Sequence, residues 1–232
     1  MMDFAEIERR LLGAPTPIRR GDDDLNPGMR PMRDDLIPAS VLVPLVQRPE
    51  GTTMLLTKRT PHMKDHAGQI AFPGGRRDPE DVDDIATALR ETQEEVGIGA
   101  DSIRILGSIA PYVTRTGYAV TPIVGAVNPD IAPRPDPFEV DEIFEVPFTF
   151  LLDRANHQRH SHTINGEKRQ FYAMPYGDYF IWGATAGMIV NLVDILTPRS
   201  ALSPGLSSPS AQPAPAQPAP AGSDPIAKTS HT

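Results

Sequence analysis

The chain has 232 residues, a net charge of −8 and a pI of about 5.2, and 39% of its residues are hydrophobic. This length suits one domain with some extra sequence, and the acidic balance argues against nucleic-acid binding through bulk charge. The absence of cysteine excludes disulfides, thiolate metal sites and cysteine nucleophiles, and it fits a cytoplasmic protein. The longest apolar stretch, 186–196, is too short to span a bilayer, so no membrane partner is expected.

Composition divides the chain into three parts. Residues 1–12 place apolar side chains at helical spacing, and 19–35 are rich in charge, proline and glycine, so 1–38 are predicted to form a helix and an arm. Of 26 prolines, eight lie from position 198 onward, and 199–232 are predicted to be a disordered Pro/Ala-rich tail. Residues 39–198 form the predicted folded domain.

Strand and helix patterns alternate within this domain, which predicts a single α/β (α+β) domain. An Asn165-Gly166 pair predicts a hairpin turn, and three histidines are assigned to an exposed loop: His157, His160 and His162. The predicted strands are 39–46, 54–57, 103–109, 120–127, 142–146 and 169–174, and the predicted longer helices are 81–96 and 183–196.

The helix predicted at 81–96 carries the most informative pattern. Its core-facing side is expected to hold Val82, Ile85, Ala86, Leu89, Thr92 and Val96. The opposite side carries Glu91, Glu94 and Glu95 on adjacent turns, where their charges repel one another. Because Mg²⁺ and Mn²⁺ prefer carboxylate oxygens, these glutamates are candidate metal ligands, the alternative being a solvated acidic face.

Glycines flank this helix on both sides. Gly74 and Gly75 precede it, and glycine lets a backbone approach a bound group closely. Gly97 follows it, at the position of a left-handed cap. Arg90 lies among the glutamates, where its guanidinium can orient a carboxylate through paired hydrogen bonds. The glycine loop and the acidic helix together predict a cradle for a metal ion and phosphates.

Residues 90–98, Arg-Glu-Thr-Gln-Glu-Glu-Val-Gly-Ile, resemble the second half of the Nudix box at every fixed position. The resemblance implies the Nudix fold, a mixed β-sheet sandwiched between helices, and a metal-dependent hydrolase. The first half of the box departs from the pattern, because Val82 stands where the family has its first glutamate and Asp81 lies beside it. By the same resemblance, the residues implied are Glu91, Glu94 and Glu95 as ligands of Mg²⁺ or Mn²⁺, and Arg90, Glu94 and Glu95 in catalysis.

A second resemblance lies upstream of the box. Residues 55–60, Leu-Leu-Thr-Lys-Arg-Thr, then Lys64 and the Phe-Pro-Gly-Gly of 72–75, are similar to the segment that precedes the box in coenzyme A pyrophosphatases. This resemblance implies hydrolysis of coenzyme A or its thioesters to 3′,5′-ADP and 4′-phosphopantetheine or its acyl form. The residues expected to hold the substrate are Arg59, Lys64, Gly74 and Gly75.

Two other functions remain open from the sequence. One is hydrolysis of a different nucleoside diphosphate derivative, and the other is a Nudix-fold protein that senses a nucleotide without cleaving it. The general base is also open, because the box glutamates compete with Glu139 and Glu142, of which Glu139 is slightly favoured. These two precede a Phe-Glu-Val-Pro segment, 144–147, that resembles one found in many Nudix enzymes. A homodimer is left open.

Overall fold

The computed structural model describes residues 2–14, 20–62, 67–164 and 166–198. Lys64 and the predicted tail, 199–232, lie outside the described residues. The helices in the described part are α1 (Phe4–Leu12), α2 (Asp84–Val96), α3 (Phe148–Leu152) and α4 (Gly183–Leu196). The strands there are β1 (Arg20–Gly21), β2 (Ile37–Arg48), β3 (Gly51–Arg59), β4 (Ile70–Ala71), β5 (Gly74–Arg76), β6 (Ile103–Ser108), β7 (Tyr112–Val113), β8 (Tyr118–Val127), β9 (Val140–Pro147), β10 (Gln158–Ile164), β11 (Glu167–Tyr176) and β12 (Tyr179–Trp182).

The larger sheet is built around β2 and β8, which run parallel from the pair Ile37–Tyr118 to the pair Val46–Val127. β3 returns antiparallel to β2 after a tight turn, and β9 pairs antiparallel with β3. β5 pairs with the start of β2, β4 with β3, and β6 and β7 with β8, while β1 runs parallel to β7. Residues 39–46 of β2 are all buried, as is typical of a strand covered on both faces.

The smaller sheet consists of β10, β11 and β12 in antiparallel order. The predicted hairpin connects β10 with β11, although Asn165 itself lies outside the described residues. The assignment of three histidines to an exposed loop is wrong. His162 lies in β10, and so does His160, which is only 8% exposed and packs against the rings of Phe171 and Phe180.

Helices cover both faces of the larger sheet. Alternate residues of β2 point to opposite faces, so each face contributes apolar side chains to a hydrophobic cluster. On one face, Ala88 of α2 packs against Leu42 and Ile123. On the other face, Ile7 of α1 and Ile189 of α4 belong to the main hydrophobic cluster. This arrangement confirms the predicted mixed sheet between helices. No helix among the described residues has the length and apolar character needed to cross a membrane.

The N-terminal arm, predicted as a segment leading into the domain, makes specific contacts with the domain. Asp22 accepts hydrogen bonds from the Tyr112 hydroxyl at 2.9 Å and from the Arg115 amide at 2.7 Å. Burial raises the pKa of the Asp22 carboxyl, and these two bonds oppose that shift. Arg20 donates from Nη2 to Asp194 of α4 at 2.7 Å. The arm is therefore bound to the domain through β1 and these contacts.

The predicted limits of α4 agree with the structure, whereas those of α2 do not. α2 begins at Asp84 because the side chain of Asp83 caps it, accepting a hydrogen bond from the Ala86 amide at 2.8 Å. The expected apolar side is wrong at Val82, which is 83% exposed, and at Ile85, which is 37% exposed, but right at Thr92 and Val96. The buried side holds Thr87, Ala88, Thr92, Glu95 and Val96.

Candidate active site

The three box glutamates of α2 differ in burial. The side chain of Glu95 is 4% exposed and that of Glu91 is 17% exposed, whereas that of Glu94 is 58% exposed. Glu91 and Glu95 are one helical turn apart and so share a side of α2. The sequence placed all three opposite the core, but Glu95 lies on the core-facing side.

Glu95 is enclosed by the two segments that precede the box. The Gly74 amide donates to Glu95 Oε2 at 3.2 Å, and Arg59 Nη1 lies 3.5 Å from Glu95 Oε1. Burial raises the pKa of Glu95 to about 7; Arg59 and the Gly74 amide oppose this rise, while Glu139 and Glu91 add to it. The glycine loop and the end of β3 therefore converge on one buried carboxylate.

Gly75 leaves room for the carboxylate of Glu91. A Cβ atom at position 75 would lie 2.6 Å from Cδ and from both carboxylate oxygens of Glu91. Burial raises the pKa of Glu91, and the hydrogen bond from Arg90 opposes that rise. The neighbouring Gly74 has a φ of 154°, in the region that favours glycine. The sequence predicted that the glycine backbone approaches a bound group closely. In the structure the backbone at Gly75 closely approaches the carboxylate of Glu91.

Arg90 connects the loop before α2 with the acidic side of the helix. Its Nε and Nη2 donate to the two carboxylate oxygens of Asp81, at 3.1 and 2.9 Å. Its Nη1 donates to Glu91 at 2.9 Å and to Glu94 at 3.1 Å. Sequence reasoning expected Arg90 to form a bidentate pair but did not assign Asp81 a role. The sequence signal for this role was that several carboxylates lie near a single arginine.

The two candidate bases outside the box have different surroundings. Glu142 accepts a hydrogen bond from the Tyr179 hydroxyl at 2.5 Å. Glu139 is exposed, and its charge contributes to raising the pKa of both Glu91 and Glu95. Glu139 is therefore the candidate that interacts with the box, whereas Glu142 is engaged by β12.

A divalent cation suits this donor set, although among the described residues no three His, Cys, Asp or Glu side chains already converge as a metal-binding group. Glu91 and Glu95 are adjacent carboxylates, and burial raises the pKa of each, so a positive charge between them would offset an unfavourable arrangement. Hard oxygen ligands of this kind fit Mg²⁺ or Mn²⁺. The residues that would hold the ion are Glu91 and Glu95, with Glu94 at the exposed side.

Comparison with known proteins identifies the family of the chain. Residues 36–166 match the sequence model of the NUDIX domain. The chain is 39% identical over 175 residues to a protein of Photorhabdus laumondii, a match that covers 75% of this chain and 93% of the relative. It is 42% identical over 154 residues to a protein of Escherichia coli K12, covering 66% and 80%. Both relatives carry the name uncharacterized Nudix hydrolase NudL.

Among solved structures, a NUDIX hydrolase from Alicyclobacillus acidocaldarius matches 68% of this chain and 91% of its own, at 22% identity and a TM-score of 0.45. The chain belongs to the Nudix family, as the match to the NUDIX domain and the identity to the two relatives show. It has the Nudix fold and is an enzyme, a hydrolase of phosphoric anhydrides in small-molecule substrates. Members of this family generally use divalent metal ions such as Mg²⁺ or Mn²⁺.

Proposed function

We propose that the enzyme hydrolyses the pyrophosphate bond of coenzyme A or its thioesters and releases 3′,5′-ADP and 4′-phosphopantetheine or its acyl form. The observation that carries this proposal is the contact of Arg59 with the box. Arg59 belongs to the segment that resembles coenzyme A pyrophosphatases, and its Nη1 lies 3.5 Å from Glu95. The amide of Gly74, from the end of the same segment, donates to the same carboxylate.

The charge of the site supports an anionic substrate in an acidic protein. Coenzyme A carries a pyrophosphate and a 3′-phosphate, so its binding needs local cations and a metal ion to offset the negative charges. The side chain of Arg59 is 21% exposed and its guanidinium faces the box, where it can donate to a phosphate oxygen. Lys64, from the same resembling segment, is proposed as a second cation, and Gly74 and Gly75 as backbone contacts of the substrate.

The proposed reaction is attack of water on a phosphorus of the pyrophosphate. The oxygen of water forms a bond to phosphorus as the bond to the bridging oxygen breaks, and both products leave as phosphate monoesters. Glu139 is proposed to take the proton from the water, and Arg59 to stabilise the charge that develops on the phosphate oxygens. Bound Mg²⁺ or Mn²⁺, held by Glu91, Glu94 and Glu95, supplies positive charge that polarises the phosphate oxygens.

The test is incubation of the full chain with coenzyme A and either Mg²⁺ or Mn²⁺, followed by mass identification of the products. A parallel panel contains acetyl-coenzyme A, ADP-ribose and a dinucleotide. Release of 3′,5′-ADP from coenzyme A or acetyl-coenzyme A at a rate well above the cleavage of ADP-ribose and the dinucleotide supports the proposal. Faster cleavage of ADP-ribose or the dinucleotide would favour the alternative substrate class, and absence of turnover with every metal would favour a nucleotide sensor.

A matched pair of variants links the activity to the site. Glu95→Gln removes one buried carboxylate from the box, whereas Glu80→Gln removes an exposed one from the preceding loop. Formation of the products should be lost in Glu95→Gln and kept in Glu80→Gln. Activity that survives in Glu95→Gln would indicate a contaminating hydrolase or a different site.

A further inference from the structure

A short loop before β9 is fixed to the C-terminal end of the box helix. The Arg134 amide donates to the carbonyl of Val96 at 2.8 Å, and the Asp136 amide donates to the carbonyl of Glu95 at 2.9 Å. These bonds satisfy carbonyls that the end of a helix leaves without partners. The loop therefore has a fixed position relative to the catalytic helix.

The same loop is joined to the end of β3 through Thr60, a buried residue next to Arg59. The Thr60 amide donates to the carbonyl of Glu139, and the Thr60 hydroxyl donates to the carbonyl of Phe138, both at 3.0 Å. The Phe138 amide in turn donates to Asp136 Oδ1 at 2.9 Å. The backbone of Phe138 is thus held on both sides, at its carbonyl by Thr60 and at its amide by Asp136.

Phe138 is 85% exposed, the largest value among the exposed large hydrophobic residues of the described chain. Its neighbour Glu139 interacts electrostatically with Glu91 and Glu95, so this part of the loop borders the box. An aromatic ring on a fixed backbone at the edge of a polar site offers a flat apolar face at little cost in conformational entropy. Such a face suits a planar heteroaromatic group.

We propose that the ring of Phe138 is the stacking surface for the nucleobase of the substrate. The inference rests on the proposed function only in that the substrate is a nucleoside diphosphate derivative. Phe138 then provides affinity for the base, while the box and Arg59 interact with the phosphates. Stacking on a single ring is tolerant of base identity, so Phe138 selects nucleoside-containing substrates over simple diphosphates.

The test measures binding by calorimetry on the full chain with Mg²⁺ present, using 3′,5′-ADP, AMP and inorganic pyrophosphate as separate probes. Phe138→Ala should weaken the binding of both nucleotides by about tenfold or more. Its affinity for pyrophosphate, which has no base, should not change. Phe138→Trp should retain nucleotide binding, and Leu12→Ala, which removes an exposed apolar side chain from α1, should leave binding of every probe unchanged.

Kinetics provide a second readout with whichever nucleotide the substrate panel identifies. Phe138→Ala should raise KM and leave kcat almost unchanged, and Phe138→Trp should restore KM. Unchanged nucleotide binding in Phe138→Ala, an equal loss of pyrophosphate binding, or no nucleotide binding by the unaltered chain would each overturn the inference. Selective loss of nucleotide binding in an enzyme that does not cleave coenzyme A would uphold it and refute the proposed substrate.

Discussion

Asp81 and Arg90 form a bidentate pair, with N–O distances of 3.1 and 2.9 Å, that joins the loop before α2 to the helix. The Asp81 side chain is 6% exposed, and its hydrogen bonds with Arg90 hold the pKa of this carboxyl well below its usual value. Arg90 also donates to Glu91 and Glu94. Asp81 is therefore placed to fix the guanidinium that orients two box glutamates.

Asp81→Asn tests this positioning role, because the amide keeps the shape of the side chain but loses its charge. The free energy of unfolding should fall by about 1–3 kcal/mol, and kcat should fall while KM changes little. Urea unfolding and steady-state kinetics measure the two effects. The control is Asp78→Asn, since Asp78 is 56% exposed and lies 3.8 Å from Arg90. Equal effects in the two variants would contradict the role given to Asp81.

Gly75→Ala should inactivate the enzyme without unfolding it. The three atoms nearest to the added Cβ all belong to the carboxylate end of Glu91, a flexible group that can move aside, so the fold should survive and the ligand should be displaced. Activity and Mn²⁺ affinity should both fall, and the thermal midpoint should change little. In Gly99→Ala the new Cβ also meets a carboxylate, that of Asp101 at 2.9 Å, but away from the box. Loss of activity in both variants would indicate a general steric effect.

Glu95→Gln should abolish tight binding of Mn²⁺ as well as turnover. The variant loses a charged ligand, yet repulsion with Glu91 is relieved, so its stability should be kept or rise slightly. Electron paramagnetic resonance of free Mn²⁺ gives the binding curve, and Glu80→Gln is the matched control. Unaltered Mn²⁺ affinity in Glu95→Gln would remove this residue from the proposed ligand set.

The identity of the general base is tested by variants of Glu139, in the loop before β9, and Glu142, in β9. Glu139→Gln should lower kcat and remove the acidic limb of the pH–rate profile, because a group that must be ionised to accept a proton is lost. Glu142→Gln should have a smaller effect on kcat, since that carboxylate is engaged by the Tyr179 hydroxyl. Two full-rate variants would assign the base to the box glutamates.

His157 should make stability depend on pH. Its ring nitrogen Nε2 contacts the carbonyl oxygen of Leu151 at 2.7 Å, and burial lowers its pKa below the usual 6.5. Below pH 6.5 the unfolded chain therefore binds more protons at this position than the folded chain, and stability falls as the pH falls. From about one pH unit above 6.5, His157 is largely neutral in both states, and the effect disappears.

Urea unfolding between pH 5 and pH 8 measures this dependence. His157→Gln should flatten the acidic side of the curve of unfolding free energy against pH. The change in slope should correspond to a difference of less than one bound proton. His62→Gln changes an exposed histidine and should leave the curve unaltered. A steeper acidic fall in His157→Gln would contradict the assignment.

The sequence predicted the elements of the fold better than the surfaces they bury. The limits of α4 were predicted because an apolar run ends before Pro198, a residue that terminates helices. The buried side of α2 was predicted only in part, because the helix packs Thr87 and Glu95 inward, and polar residues carry no signal of hydrophobic periodicity. Within the site, Glu139 could be favoured over Glu142 only slightly, since the contact of Glu142 with Tyr179 joins residues far apart in the chain.

The contacts of α4 decide which fragments of this enzyme can fold. The match to the NUDIX domain ends at residue 166, yet the Thr185 hydroxyl of α4 donates to the carbonyl of Ile70 at 3.0 Å, just ahead of the glycine loop. Arg154 and Arg20 both contact Asp194 of the same helix. A fragment cut at the limits of the family match would lose this helix and uncover the apolar surface beneath it. The smallest piece able to fold and act on substrate therefore includes sequence on both sides of the matched region.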